Sequence, residues 1–252
     1  MSFGAVAADY DRLRPTPPDV AVRWVVPAGC GTAVDVGAGT GLLTRALAGV
    51  VPRVVAVEPD PRMRAQLSSR SPEVEALAGR AEEIPLPDAC ADLVTVASAW
   101  HWMEPERVVP EVARVLRDGG RFAVLWTGRD REESWLRELS LGPTAFEEWR
   151  RSESLVGGWR ARAERRRELR LPAGAPFKPP ESTTFAFTRR LSPEDFVAWL
   201  GTHSGVIVAD AEERAAYLNW ARAQLEARFP GQDTITLPMR ARCWRCERLP
   251  RE

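Results

Sequence analysis

Lysine is almost missing from this chain. Of its 35 lysines and arginines, Lys178 is the single lysine. Schiff-base chemistry needs a desolvated, activated amine. Lys178 lies in the Pro-rich stretch Pro176-Phe177-Lys178-Pro179-Pro180, which does not favour burial, so that chemistry is set aside. An excess of one charge sign is missing as well: 35 acidic residues balance the 35 basic ones and are mixed along most of the chain. The strongly basic surface that nucleic-acid binding requires is therefore not expected. Long apolar runs are lacking, and no stretch approaches the roughly 20 residues of a membrane span. Met1–Tyr10 is neither basic nor continuously apolar, so no export signal is expected there. Cysteine is sparse, with Cys30, Cys90, Cys243 and Cys246, and histidine more so, with His101 and His203. Cys243-Trp244-Arg245-Cys246 has CxxC spacing. A redox CxxC opens a helix after a strand, however, and a zinc site needs two such pairs or added histidines, so no metal is expected. Four cysteines without an export signal fit reduced thiols in the cytoplasm. Repeats and low-complexity tracts are also lacking.

What is present is an alternation of short valine-rich runs with helical spacing. The 252 residues, 44% of them apolar, suffice for one α/β domain with a small appended cap. Strands are expected at Ala33–Val36, Val54–Val57, Val74–Ala78, Leu93–Ala97 and Arg121–Trp126. Helices are expected at Leu42–Ala48, from about Arg62 to Ser69, and over Pro105–Leu116, the last stopped by Asp118-Gly119-Gly120. Buried runs separated by helices imply a parallel sheet covered on both faces. Beyond Trp126 the pattern changes. Residues from Asp130 to about Arg170 are rich in Arg, Glu and Trp, with helical spacing at Trp135, Leu139, Phe146 and Trp149. Leu171–Pro180 reads as a link, Ser182–Thr188 and Asp233–Arg245 as alternating strands. Ser192-Pro193-Glu194-Asp195 reads as a helix start, with a further helix over Ala211–Arg228. The organisation is thus a core over 1–129, a helical lid insertion and linker over 130–180, and the remainder of the core over 181–252.

The segment richest in chemistry is Ala33-Val34-Asp35-Val36-Gly37-Ala38-Gly39-Thr40-Gly41-Leu42-Leu43-Thr44. A buried strand runs into a glycine turn that opens a helix, where backbone can approach a ligand closely. Ligands of such sheets bind at the carboxyl ends of the strands, at the switch point. Up to here, a dinucleotide and another adenosine-containing ligand fit equally. A dinucleotide fingerprint would need its third glycine at the position of Leu42; the spacing here is G-x-G-x-G instead. The second strand ends in Glu58, near the distance past the glycines at which an acid meets ribose hydroxyls.

This pattern resembles the first motif of class I S-adenosylmethionine-dependent methyltransferases. Three further segments resemble the same family: Gly79-Arg80-Ala81-Glu82-Glu83-Ile84-Pro85 after the third strand, Ala99-Trp100-His101-Trp102 after the fourth, and Arg114-Val115-Leu116-Arg117-Asp118-Gly119-Gly120 before the fifth. With Tyr10-Asp11-Arg12-x-Arg14-Pro15, the set resembles the type-11, small-molecule branch related to trans-aconitate methyltransferase. The resemblance implies a Rossmann-like, seven-stranded, mostly parallel sheet with an antiparallel last strand, helices on both faces and a helical lid. It implies S-adenosylmethionine as cofactor and a small-molecule acceptor; oligomeric state is left open. It places Asp35 near the methionyl amino group, Gly37, Ala38, Gly39, Thr40 and Gly41 around the cofactor, and Glu58 on the ribose. Pro59, Met63 and Ala81 fall near the adenine, Ser98 and Ala99 beside the cofactor, and Tyr10 and Arg14 at the methionyl end. Arg80 departs from the family's usual Asp at the adenine edge, which leaves Glu82 or a backbone carbonyl to meet the exocyclic amine.

His101 falls at the transfer site, as a general base or as a wall and hydrogen-bond donor. Trp100, Trp102 and Trp126 are candidate substrate walls, suited to cation–π contact with a sulfonium. Methyl transfer to O, N or C, mainly by positioning, is the leading expectation. The alternative is the same cofactor fold recruited for other chemistry such as cyclisation. A nicotinamide-dependent dehydrogenase is disfavoured by Leu42 and the lack of a Tyr-x-x-x-Lys pair. A scaffold using Arg160–Arg170 is disfavoured because Glu164 and Glu168 interleave the arginines.

Overall fold

In the computed structural model, residues 7–141, 168–207 and 209–251 are described. The valine-rich runs form β1 (Thr32–Val36), β2 (Arg53–Val57), β3 (Glu75–Leu77), β4 (Ala91–Ala97) and β5 (Leu116–Arg129), followed by β6 (Glu181–Leu191) and β7 (Ile235–Glu247). They make one seven-stranded sheet in the order β3-β2-β1-β4-β5-β7-β6. Neighbouring pairs among β1 to β5 are parallel, and β7 runs antiparallel to both β5 and β6. This is the expected Rossmann-like architecture. Strand order reverses between β1 and β4, which places a crevice at the carboxyl ends of those strands.

Burial on both faces explains the valine runs. On one face Val34, Val36, Val94 and Val96 pack against α5 (Pro105–Val115) through Val108, Val109 and Val112. On the other, Ala33, Val54 and Leu93 pack against α2 (Asp19–Val25) and α3 (Leu42–Ala48). A further cluster lies at the β6–β7 side. There Trp135, Leu136 and Leu139 of α6 (Ser134–Leu141) meet α7 (Pro193–Gly201) and α9 (Ala211–Arg228). The short α8 (Ser204–Ile207) joins those two helices. Thus α6, within the segment expected as a lid, has its aromatic and leucine stripe in a core. Phe146, Trp149, Trp159 and most of Arg160–Arg170 lie outside the described residues.

The local rule holds at Ser192, where a cap was expected. Ser192 Oγ accepts from the Asp195 amide at 3.0 Å and Pro193 opens α7. Asp210 closes a capping box with Glu213 at the start of α9. The largest departure is β5, which begins five residues before Arg121 and ends three after Trp126. Its long antiparallel pairing with β7, from Arg121↔Glu247 to Arg129↔Met239, carries it past the parallel part of the sheet. Cys243 and Cys246 project to opposite faces of β7, into separate cores, so they cannot meet in a bridge. Burial pushes both thiols up to about 12. Among the described residues no helix is long and apolar enough to cross a membrane.

Candidate active site

The glycine turn joins β1 to α3, and its three glycines do different work. Gly37, Gly39 and Gly41 have φ of +66°, +59° and +88°. A Cβ on Gly37 would stand 3.0 Å from Ala99 Cβ and 3.2 Å from Met103 Cε, and one on Gly41 only 2.8 Å from Leu67 Cγ. These two let the turn pack against the segment after β4 and against α4 (Pro61–Arg70). Gly39 is different: a Cβ there would meet nothing within 4 Å. Its backbone therefore borders open space. Gly41→Ala combines left-handed strain with overlap, so a loss of about 1–3 kcal/mol is expected. A fall in Tm of roughly 2–10 °C by scanning calorimetry would register it, and an unchanged Tm would refute this account.

Two buried carboxylates flank the turn. Asp35, 0% exposed, accepts from Thr44 Oγ1 at 2.7 Å and from Thr95 Oγ1 at 3.0 Å. Burial pushes its pKa up to about 6, opposed by those hydroxyls and helped by the nearby Glu58. Glu58, 7% exposed, accepts from the Gly39 amide and from the Asp60 amide, both at 2.8 Å. Burial raises it too, against the pull of the two amides. Asp60 in turn caps α4 by accepting from the Arg62 amide at 2.9 Å, with Pro61 as the first helical residue. Glu58 thus ties the glycine turn to the start of α4, the length over which an adenosine would lie.

The other expected site residues fall in three groups. Met63 and Ala81 are buried beside this edge, whereas Pro59 is exposed. Arg80 is exposed and stands 3.6 Å from Glu82, which is mostly buried. Arg114 fixes the following loop by donating to the carbonyls of Ile84 and Leu86 at 2.9 and 2.8 Å. Ser98 has φ of +55° and Ala99 packs on Gly37, so the exit of β4 is pressed against the glycine turn. A short helical turn, Trp100–Trp102, follows. There the three aromatic residues separate. Trp100 is 1% exposed and packs edge-on against Phe122 in the core, with centroids 5.6 Å apart. His101 lies 5.0 Å from Trp126 and 4.8 Å from Trp102, the latter 50% exposed. His101, Trp102 and Trp126 therefore form one aromatic group at the ends of β4 and β5, and Trp100 supports it from beneath.

The N-terminal helix α1 (Ala7–Leu13) reaches this region through ion pairs. Asp11 pairs with Arg45 of α3 at 2.6 Å, and Arg45 also donates to the Thr40 carbonyl at 2.9 Å. Arg14 lies 4.8 Å from the Tyr10 ring centroid and donates to the Thr202 carbonyl at 2.8 Å. Thr44, the last residue of the glycine motif, and Thr95 emerge as anchors of Asp35. Thr95 carries no motif, and its role follows only from its register opposite Asp35.

A doubly wound sheet with an open glycine backbone and two buried strand-end acids defines a Rossmann-like binding domain for an adenosine ligand. The family described as "Methyltransferase domain" matches residues 34–124, which hold most of this site. An uncharacterized methyltransferase of Mycobacterium tuberculosis is 38% identical over 91% of this chain and 87% of its own. A solved structure of a proposed type II methyltransferase from Anaeromyxobacter dehalogenans is similar with a TM-score of 0.69 and 27% identity, covering 94% of this chain and 99% of that one. The malonyl-[acyl-carrier protein] O-methyltransferase of Herminiimonas arsenicoxydans is 34% identical over 51% of each chain. This chain belongs to the class I methyltransferases and is an S-adenosylmethionine-dependent enzyme. The residues present fit that cofactor. Gly39 leaves its backbone open, and Asp35 is a buried acid with no cation among its described partners, which suits a ligand carrying positive charge.

Proposed function

We propose that this enzyme transfers a methyl group to an O, N or C nucleophile of a small molecule, chiefly by positioning. The observation that carries this is the meeting of Asp35 and Glu58 beside the open Gly39 backbone, with His101 and Trp126 at the adjacent strand ends. When bound, S-adenosylmethionine supplies a methyl group already activated on a sulfonium. Glu58 has accepting capacity beyond its two amides and takes the ribose hydroxyls. Asp35 offsets the positive methionyl end, which Tyr10 and Arg14 border. Met63 and Ala81 flank the adenine with Pro59 at its exposed rim, and Glu82 or a backbone carbonyl meets its amine. Ala38, Thr40, Ser98 and Ala99 complete the wall. Trp102 and Trp126 enclose the acceptor. The four free thiols suit a reducing compartment such as the cytoplasm.

Calorimetry with S-adenosylhomocysteine should show micromolar binding, and absence of heat would defeat the cofactor assignment. Incubation with methyl-tritiated S-adenosylmethionine and a panel of small acids, phenols and amines should place label in a product. Conversion of acceptors without label would favour recruitment of the fold for other chemistry.

His101 serves in this reading as wall and hydrogen-bonding group. His101→Gln is expected to leave S-adenosylhomocysteine affinity within about threefold and to slow label transfer by roughly tenfold or less, because in-line displacement draws most of its rate from positioning. A loss of about 100-fold or more, in the range of proton-transfer catalysis, would make His101 the base.

A further inference from the structure

Away from the two acids, the carboxyl end of β5 holds a cluster of donors that lack an acceptor. Arg129 is the last residue of β5, His203 follows α7, Arg14 follows α1, and Trp199 belongs to α7. Arg129 Cζ lies 5.7 Å from the Trp199 ring centroid, and the His203 ring lies 5.4 Å from it. Arg14 donates to the Thr202 carbonyl next to His203. Arg14 Nε, Arg129 Nη1 and Trp199 Nε1 are all buried without a hydrogen-bond partner. His203 Nδ1 lies 3.1 Å from the carbonyls of both Trp199 and Leu200, so it carries the proton, and Nε2 is the ring's acceptor.

Among the described residues no carboxylate pairs with Arg14 or Arg129. Arg129 donates to the Tyr217 hydroxyl, and the other titratable groups that bear on the two arginines are Tyr10 and the cation Arg131. Asp195 of α7 is engaged by Arg12 at 2.5 Å. Arg189, 5.9 Å from the Trp199 ring, adds yet another cation. Burial lowers both guanidinium groups, and burial together with those two arginines holds His203 well below its ordinary range. Two desolvated cations with no counterion are costly, and apolar residues would pack the same space more stably. Each orphan N–H adds the desolvation penalty of an unmade hydrogen bond. Several such donors in one place signify a missing acceptor with several oxygens.

We propose that Arg14, Arg129 and Trp199 form an oxyanion site that takes a carboxylate or phosphate group of the methyl acceptor. The proposal rests on the methyl-transfer reading above and narrows its substrate class to anionic small molecules. Trp126, beside His101, lies on the same strand as Arg129, about 10 Å away along it and on the opposite face, so one acceptor meets both only across the carboxyl edge of the sheet.

The test uses the full chain saturated with S-adenosylhomocysteine, titrated calorimetrically with succinate, with inorganic phosphate and with uncharged succinamide. One or both anions should bind in the millimolar range and succinamide should not. Arg129→Met should weaken the anion at least about tenfold, the loss of one charge-assisted bond. It should leave S-adenosylhomocysteine affinity within about threefold and raise, not lower, the Tm of the ligand-free protein. Arg129→Lys should bind the anion with intermediate affinity, since it keeps the charge but not the fork. The proposal is overturned if neither anion binds at about 50 mM, if the variants bind them as well as the parent does, or if Arg129→Met loses S-adenosylhomocysteine. That last result would assign the cluster to the cofactor's own carboxylate. Failure of the parent chain to bind S-adenosylhomocysteine at all would strike the methyl-transfer reading itself, and the separate cofactor titration shows it.

Discussion

Glu58→Ala is expected to raise the dissociation constant for S-adenosylhomocysteine by at least about 100-fold. Two effects add. A carboxylate accepting from two ribose hydroxyls makes charge-assisted bonds worth roughly 1.5–3 kcal/mol each. The same carboxylate also holds the Gly39 and Asp60 amides, so its loss frees the glycine turn from the start of α4. The ligand would then have to order both, at an entropic cost the parent protein has already met. Because Asp60 still caps α4 and the core beneath is untouched, the fold should survive with a modest drop in Tm. Calorimetry on the variant checks this; binding within threefold of the parent would remove Glu58 from the site. Glu58→Asp offers a second reading of the same group. It keeps the charge but shortens the reach to the amides, and an intermediate affinity is expected.

Legibility in the sequence followed the range of the physics involved. The glycine spacing Gly37-x-Gly39-x-Gly41 was readable because positive φ has a residue-level preference, and all three adopt it. The valine runs were readable because burial on both faces leaves no polar alternation. The helix start at Ser192 was set by capping within three residues. What depended on distant partners was not readable. Thr95 meets Asp35 only because β1 and β4 align in parallel register, and no local rule states that register. Trp100, Trp102 and Trp126 were equivalent as candidate walls, yet the turn after β4 sends Trp100 into the core and leaves Trp102 outward. Arg14, expected at the methionyl end, hydrogen-bonds to the end of α7, an element nearly 190 residues away in the chain. The donor cluster at the end of β5 has the same origin: its members come from three separated segments, and only that of Arg14 bears a motif.

Asp35 allows charge, stability and binding to be separated in one residue. Its carboxyl is fully buried, held by Thr44 and Thr95, and titrates at about 6 in the fold against 3.8 unperturbed. A folded pKa raised above the unfolded value means that the native state holds the proton more tightly. Its contribution to stability is therefore fully present below about pH 4, is lost as pH rises through about 6, and is absent above. At pH 7.5 the charged form costs on the order of 2–3 kcal/mol by this linkage. Asp35→Asn keeps a carbonyl for one threonine, offers its NH2 to the other, whose hydroxyl can accept, and removes the charge. It is expected to raise the Tm of the ligand-free protein by several degrees at pH 7.5 and to leave it nearly unchanged at pH 4.5. Binding should move the other way. If the carboxylate offsets the positive methionyl end, S-adenosylhomocysteine affinity of the parent weakens as pH falls from 7.5 through 6. The Asn variant should bind about 10–100-fold more weakly at pH 7.5, with a flatter pH profile. A destabilised variant, or one that keeps both the affinity and the pH slope of the parent, would show that Asp35 only props the glycine turn. The expected opposition of stability and affinity is that of a site strained for its ligand: the fold tolerates an uncompensated buried charge because the bound cofactor completes it.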